Sequence, residues 1–148
     1  MGDVCKLLNT PETTHGKLPY LEVRYLRRSI SPEYKESGRY LESGTPVILV
    51  DGENSGEVFF IPERGYMGST FRELLIFSVY DIEFVLLFIN YYQKELRENK
   101  TGSAIPHLNK KLFAELPLPL MPFNQQRKTV KNVKKQFEQL NKIVKNLN

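Results

Sequence analysis

The chain has one cysteine and no tryptophan among its 148 residues. A single cysteine excludes an intrachain disulfide and a cysteine-based zinc site within one chain, and such usage is typical of a reducing, cytoplasmic compartment. The start of the chain is polar and charged, so no signal peptide is predicted. The most apolar run, residues 74–90, is interrupted by Asp81 and Glu83. It is therefore predicted to be a buried element and not a membrane span.

Sequence patterns for catalysis are also missing. A DNA methyltransferase needs a glycine-rich cofactor loop after an early strand and an Asn/Asp-Pro-Pro-aromatic motif for the flipped base, and neither occurs here. Asp51 and Glu57 could begin a nuclease metal site, but no Glu-x-Lys follows, and the turn at 51–56 lacks the twelfth-position acid of a calcium loop. His15 and His107 fall in turn-like segments, where a surface position is the commoner reason for a histidine. The sequence predicts no catalytic residue, no metal site and no cofactor on this chain.

The C-terminal segment is amphipathic and basic. From Gln125 onward it has seven Lys or Arg and one acid, whereas the rest of the chain is close to neutral. Prolines 117, 119 and 122 disfavour helix before that point, so a helix is predicted from Phe123 or Asn124, with Asn124 as its cap. Its apolar residues recur at alternating three- and four-residue steps, a spacing typical of a seam that faces one partner helix. They are Val130, Val133, Phe137, Leu140, Val144 and Leu147.

Two interpretations of this seam remain open at the level of sequence. It packs back on the preceding globule, or it projects and pairs with a partner helix or with a second copy, because an exposed apolar line needs cover. A helix from Asn124 to the end would be up to roughly 37 Å long at 1.5 Å per residue. That length is close to one turn of DNA, about 34–36 Å, so an antiparallel pair would hold two domains over successive grooves.

The remainder of the chain predicts a mixed-sheet α/β (α+β) globule over residues 1–122, followed by a spacer or dimerisation helix over 123–148. Short apolar or alternating runs predict strands at 4–8, 18–25, 47–50 and 57–61, with one or two more within 65–76. A helix is predicted to begin near Ser78 or Asp81, with its apolar face at Val85, Phe88, Ile89, Tyr92 and Leu96. Ser31 is predicted to open a helical turn with Pro32 at its first position.

Three polar groups are candidates for contact with double-stranded DNA, since they combine cations, a ring, short amides and hydroxyls. They are Arg24, Tyr25, Arg27 and Arg28; Asn54 and Ser55 at a turn; and Lys100, Thr101 and Ser103 after a helix. Each group has a purely structural alternative. These are a salt-bridged strand with Glu22 and Glu33, turn chemistry alone, and a helix cap.

Several motifs follow one another in a characteristic order. They are Gly2-Asp-Val-Cys5, Leu18-Pro-Tyr-Leu-Glu-Val-Arg-Tyr-Leu26, Val50-Asp-Gly-Glu-Asn-Ser-Gly-Glu-Val58, Gly65-Tyr-Met-Gly-Ser-Thr-Phe71, Thr101-Gly-Ser-Ala-Ile-Pro-His-Leu-Asn-Lys110, and Leu116-Pro-Leu-Pro-Leu-Met-Pro122 with Gln126. Their order and spacing resemble the target-recognition domain of the specificity (S) subunit of type I restriction–modification enzymes. Met121, Gln125 and Thr129 depart from the proline, glutamate and isoleucine usual in that family. A full S subunit also carries two such domains, and this chain carries one.

The resemblance implies a non-catalytic DNA-recognition subunit, either a half subunit or a fragment. It implies docking of methyltransferase (M) and restriction (R) subunits, with S-adenosylmethionine, ATP and Mg expected only on those partners. Two copies joined through the C-terminal helix would read a two-part, symmetric target. Two other functions remain open: a detached recognition lobe of a single-chain methyltransferase–nuclease, and a coiled-coil interaction protein without DNA function.

Overall fold

The computed structural model describes all 148 residues as a mixed α+β globule followed by one long helix. This is the predicted fold class, and it is confirmed. The strands are β1 (Cys5–Leu8), β2 (Glu12–Thr13), β3 (Leu18–Leu21), β4 (Tyr34–Lys35), β5 (Gly38–Leu41), β6 (Pro46–Leu49), β7 (Val58–Phe60), β8 (Gly65–Met67) and β9 (Phe71–Ile76). The helices are α1 (Val23–Leu26), α2 (Ile82–Tyr91), α3 (Gln93–Glu98), α4 (Lys110–Glu115) and α5 (Phe123–Leu147).

The strands form two sheets. The first has the order β1-β9-β6-β7 and is antiparallel throughout. The second has the order β2-β5-β8-β3-β4 and is mixed, because β3 and β8 run parallel while the other pairs are antiparallel.

Strand β6 belongs to both hydrophobic cores. Ile48 joins the core between the first sheet and the helices, whereas Val47 and Leu49 join the core that includes Leu21 of the second sheet. All four residues of β6 are buried. A continuous apolar run is the expected sequence of a strand covered on both faces, because alternate side chains enter opposite cores.

Several element predictions need correction. The strand predicted at 18–25 ends at Leu21, and Val23–Leu26 is helical. The helical turn predicted at Ser31 is absent, because this segment leads into β4, which pairs with β3. Strands β2, β4 and β5 and helix α4 were not predicted.

The predicted start of α2 near Ser78 or Asp81 is confirmed, and the predicted cap of α5 needs correction. Asp81 caps α2, since its side chain accepts from Phe84 N at 3.0 Å. Asn124 does not cap α5. The helix already begins at Phe123, with Pro122 in the cap position and no side-chain bond there.

Helix α5 is docked at its beginning and free afterwards. It packs along α2, with Gln126 and Val130 buried and Val133 half-buried. Every residue from Lys134 to Asn148 is exposed. Packing back on the globule therefore holds for Val130, whereas the line from Phe137 onward has no cover within the chain and its pairing with a partner helix stays a prediction.

Candidate DNA interface

The first predicted group surrounds the short helix α1. Arg27 forms an ion pair with Glu57, and the hydrogen bond to that carboxylate raises the pKa of the Arg27 guanidinium. The hydroxyl of Tyr25 donates to Glu63, which raises the pKa of Tyr25 to about 12. Arg24 is exposed and takes part in none of the ion pairs of the structure.

The ion pairing predicted as the structural alternative for this group exists, but its acid is different. Glu22 and Glu33 were predicted as partners, whereas Glu57, 30 residues away, is the observed one. Glu22 and Glu33 were chosen because they are close to Arg27 in sequence. Glu57 lies between β6 and β7, and the antiparallel pairing of these two strands brings it to Arg27. Arg28 is exposed and has a left-handed backbone with φ of 58°.

The other two predicted groups lie against each other. Lys100 Nζ donates to the Glu53 carbonyl at 3.0 Å and pairs with the Glu53 carboxylate at 2.6 Å. His107 Nδ1 lies 2.6 Å from Asp51 Oδ1, and Gly52 N donates to the Pro106 carbonyl at 2.8 Å. The turn at 51–56 and the loop at 100–107 therefore form one surface, with the exposed Thr101 and Ser103 on its loop side.

Ser55 needs a correction within this surface. Its side chain is 0% exposed, and its hydroxyl donates to the Gly52 carbonyl at 2.6 Å. The turn itself uses this hydroxyl, so it cannot reach a base edge in this conformation. Asn54, its neighbour, is half-buried and keeps its place among the candidates.

Residues 51–57 link all three predicted groups. Glu57 holds Arg27, Glu53 holds Lys100, and Asn54 lies between the two acids. The structure thus brings Arg27 and Lys100 to the same segment of the chain. It also shows that carboxylates neutralise two of the cations. Exposed ion pairs of this kind are worth about 0.2–1 kcal/mol, so DNA phosphates can compete for both side chains.

Sequence reasoning missed a second group of cations. Arg39 and Arg72 donate to carbonyls of the turn between β8 and β9, residues 68–71. Lys35 lies over the ring of Tyr20, whose hydroxyl accepts from Ser69 N of the same turn. These residues are far apart in sequence, so no local pattern could group them. The motif Gly65-Tyr-Met-Gly-Ser-Thr-Phe71 marked the turn but not the side chains that surround it.

Cys5 is a buried thiol. It is 3% exposed, and burial raises its pKa to about 11. The thiol is therefore protonated near neutral pH, which is the unreactive form.

None of the helices is both long enough and apolar enough to cross a membrane.

The chain is a mixed α+β globule that carries a projecting basic helix. The chain belongs to the family described as the type I restriction modification DNA specificity domain, whose model matches residues 1–148.

One curated relative is the specificity subunit of the type I restriction enzyme MjaVIII from Methanocaldococcus jannaschii. It is 27% identical over 150 residues, which cover 92% of this chain and 35% of the relative. The chain thus spans about a third of that protein.

Two solved structures share the fold. The HsdS subunit of Thermoanaerobacter tengcongensis matches with a TM-score of 0.71 at 17% identity, over 97% of this chain and 37% of that one. The S subunit of the type I restriction–modification system of M. genitalium matches with a TM-score of 0.66 at 17% identity, over 97% and 39%.

Proposed function

We propose that the chain recognises a short base sequence in double-stranded DNA as the specificity subunit, or half subunit, of a type I restriction–modification system. The observation that carries the proposal is the family match over residues 1–148. The shared fold of two S subunits supports it. Because this chain covers only 35–39% of these relatives, the proposed unit is one recognition domain with one spacer helix.

The work is divided between two parts of the chain. Residues 1–122 form the recognition domain, and residues 123–148 form the spacer helix, whose first two turns are docked on the globule through Gln126 and Val130. The surface around residues 51–57 supports DNA contact, since Arg27 and Lys100 both pair with acids of this segment. Phosphate contacts there would fix the register, and Asn54 would contribute a contact to a base edge.

Catalysis belongs to partner subunits in this proposal. The chain would position a methyltransferase subunit and a restriction subunit in the cytoplasm, and S-adenosylmethionine, ATP and Mg would be bound by those partners. The chain itself would contribute binding energy and orientation, with no reacting group.

The distal part of α5 supports pairing through the helix. Five apolar side chains there are 55–80% exposed: Phe137, Leu140, Ile143, Val144 and Leu147. A second copy, or the helix of a second recognition domain, would cover this line, and two globules would then read a two-part target.

Selection of bound duplexes from a random pool tests DNA reading. The selection is run with the chain alone and with a type I methyltransferase subunit. The affinity of the chain for the enriched duplexes is then measured at several salt concentrations. We expect an enriched short sequence whose affinity exceeds that of scrambled duplexes at every salt concentration and falls steeply as salt rises. Equal, weak binding to all duplexes in both conditions would contradict the proposal and favour a helix-mediated interaction protein.

A further inference from the structure

The turn between β8 and β9, residues 68–71, is bordered by two arginines that share one acceptor. Arg39 donates from Nη1 to the Phe71 carbonyl at 3.2 Å and from Nη2 to the Gly68 carbonyl. Arg72 donates from Nη1 to the same Phe71 carbonyl at 2.9 Å. Bonding to one oxygen atom places the two guanidinium groups side by side, although they come from different strands.

A third cation borders the same turn through Tyr20. The hydroxyl of Tyr20 accepts from Ser69 N at 3.2 Å, and Lys35 Nζ lies 3.4 Å from the centroid of the Tyr20 ring. We call Lys35, Arg39 and Arg72 the turn 68–71 cluster. Lys35 and Ser69 are exposed, so the cluster opens to solvent.

The cluster lacks a carboxylate in contact. None of the five ion pairs in the structure includes one of its members. Glu12 lies opposite Arg39 in the β2–β5 register, but the two side chains form no ion pair. Arg27 and Lys100 differ in this respect, because glutamates neutralise both of them.

The two adjacent guanidinium groups repel each other, while Glu12 and Asp51, which form no ion pair with Arg39, act on it in the opposite sense. Burial, and then the charge of Arg72, lower the pKa of Arg39, yet an arginine stays protonated in a protein. Carbonyl oxygens orient the two groups but do not cancel their charge. A bound anion would offset this repulsion, whereas the neutral edge of a base would not.

The cluster also keeps hydrogen-bond donors for a ligand. A guanidinium has five N–H donors in a planar fork. Nε of Arg39 and both Nε and Nη2 of Arg72 make no hydrogen bond within the chain. This fork matches the geometry of phosphate oxygens, and the carbonyl bonds hold the forks in place before a ligand arrives.

We propose that Lys35, Arg39 and Arg72 form a phosphate-binding site that holds the backbone of double-stranded DNA without reading its bases. The site rests on the DNA recognition proposed above and adds a contact separate from the surface around residues 51–57.

Salt titrations of two variants test the site. Binding of the full chain to a selected duplex and to a scrambled duplex is measured by fluorescence anisotropy. Arg72→Gln and Lys35→Gln are each expected to weaken binding to both duplexes about fivefold at 0.15 M salt and to lower the salt slope by about 0.9, the value of one phosphate contact. Arg72→Lys keeps the charge and is expected to keep most of the slope.

Lys94→Gln serves as the matched control. Lys94 is 86% exposed on α3, where it pairs weakly with Glu98 at 3.8 Å, and its replacement removes the same unit of charge. The control is expected to leave the slope unchanged. The phosphate site would be overturned if Arg72→Gln and Lys35→Gln kept the salt slope of the unsubstituted chain, or if they lost affinity only for the selected duplex.

A second measurement does not depend on DNA. Inorganic phosphate is titrated into the chain while the arginine Nε–H resonances are followed by NMR. Saturating shifts are expected at Arg39 and Arg72 and not at Arg97, and their absence would overturn the site. Shifts without any DNA binding would keep the site and contradict the proposed function. Sequence-specific binding with parental slopes in both variants would contradict the site alone.

Discussion

Tyr66 connects two loops from the interior of the second sheet. Its side chain is 0% exposed, and its hydroxyl accepts from His15 N at 2.8 Å. The same hydroxyl lies 2.8 Å from the Gly16 carbonyl and 2.9 Å from the Glu36 carbonyl, to one of which at a time it donates. A single buried oxygen thus holds the loop before β3 and the loop before β5.

Tyr66→Phe is expected to lower the free energy of unfolding by about 1–2 kcal/mol. The reason is that His15 N and the two carbonyls lose their shared partner while the ring packing is kept. Urea denaturation measures the loss, and amide hydrogen exchange is expected to rise at His15. Tyr91→Phe is the control, because Tyr91 is 76% exposed, and it is expected to stay within 0.5 kcal/mol of the parent, as surface substitutions usually do. Equal effects of the two substitutions would contradict the role of the hydroxyl.

Residue chemistry was predictable only where it is local. The start of α2 near Ser78 or Asp81 was predictable, because the Asp81 carboxylate and the Phe84 amide that it caps lie three residues apart. The partner of Arg27 was not predictable, since Glu57 is 30 residues away and reaches it only through the sheet. Arg39 and Arg72 were missed for the same reason: only folding brings both to the carbonyl of Phe71.

At the scale of elements, the junction of α5 with α2 depends on Gln126. This side chain is 2% exposed, accepts from Asp81 N at 2.8 Å and donates to the Met121 carbonyl at 3.0 Å. Gln126 therefore joins the cap of α2, the proline-rich segment and the first turn of α5. A rigid junction matters for a spacer helix, since it sets the direction in which the helix leaves the globule.

Gln126→Leu is expected to cost about 1–3 kcal/mol, because it leaves the Asp81 amide and the Met121 carbonyl without their partner in a buried position. Amide exchange in the first two turns of α5 is expected to rise as the helix loosens from α2. Gln125→Leu makes the same chemical change at an exposed neighbour and is expected to stay within 0.5 kcal/mol of the parent. If the two variants unfold at the same urea concentration, the junction does not depend on this amide.

Elements with a strong period or a continuous apolar run were predictable, and short ones were not. The helical period of the α5 seam and the continuous apolar run of β6 identified both elements, because each pattern is specific to one kind of element. Strands β2 and β4 have two residues each, too few for any pattern. Helix α1 was taken as a continuation of β3, since its four residues show no helical period of their own.

At the scale of the whole molecule, charge and apolar surface are divided between the two ends. The globule uses Glu53, Glu57, Glu63 and Glu83 to bind its own basic or hydroxyl groups and those of α5. The distal half of α5 carries positive charge beside an uncovered apolar line. This arrangement could not be derived from the seam pattern alone, because the same period continues from buried Val130 to exposed Leu147.

Pairing of two copies through the distal helix predicts a dimer that depends on the exposed part of the seam. Val133 is unsuitable for a test, because it is half-buried on the globule, and Leu140 and Val144 are the suitable positions. Leu140→Asp and Val144→Asp each place a charge in the line that a partner helix would cover, at a cost of several kcal/mol in a paired state. Sedimentation equilibrium at tens of micromolar is expected to give a dimer for the parent and a monomer for both variants.

Gln139→Asp separates loss of the seam from a change in net charge. It changes the charge by the same amount as Leu140→Asp, but it lies outside the apolar line, so the dimer is expected to persist. A short pair of helices is marginal by itself, so dissociation of the parent on dilution into the nanomolar range is also expected. A parent that stays monomeric at every concentration, or a control that dissociates together with Leu140→Asp, would mean that copies of this chain do not join through α5. The exposed line from Phe137 to Leu147 would then require a helix from a different polypeptide.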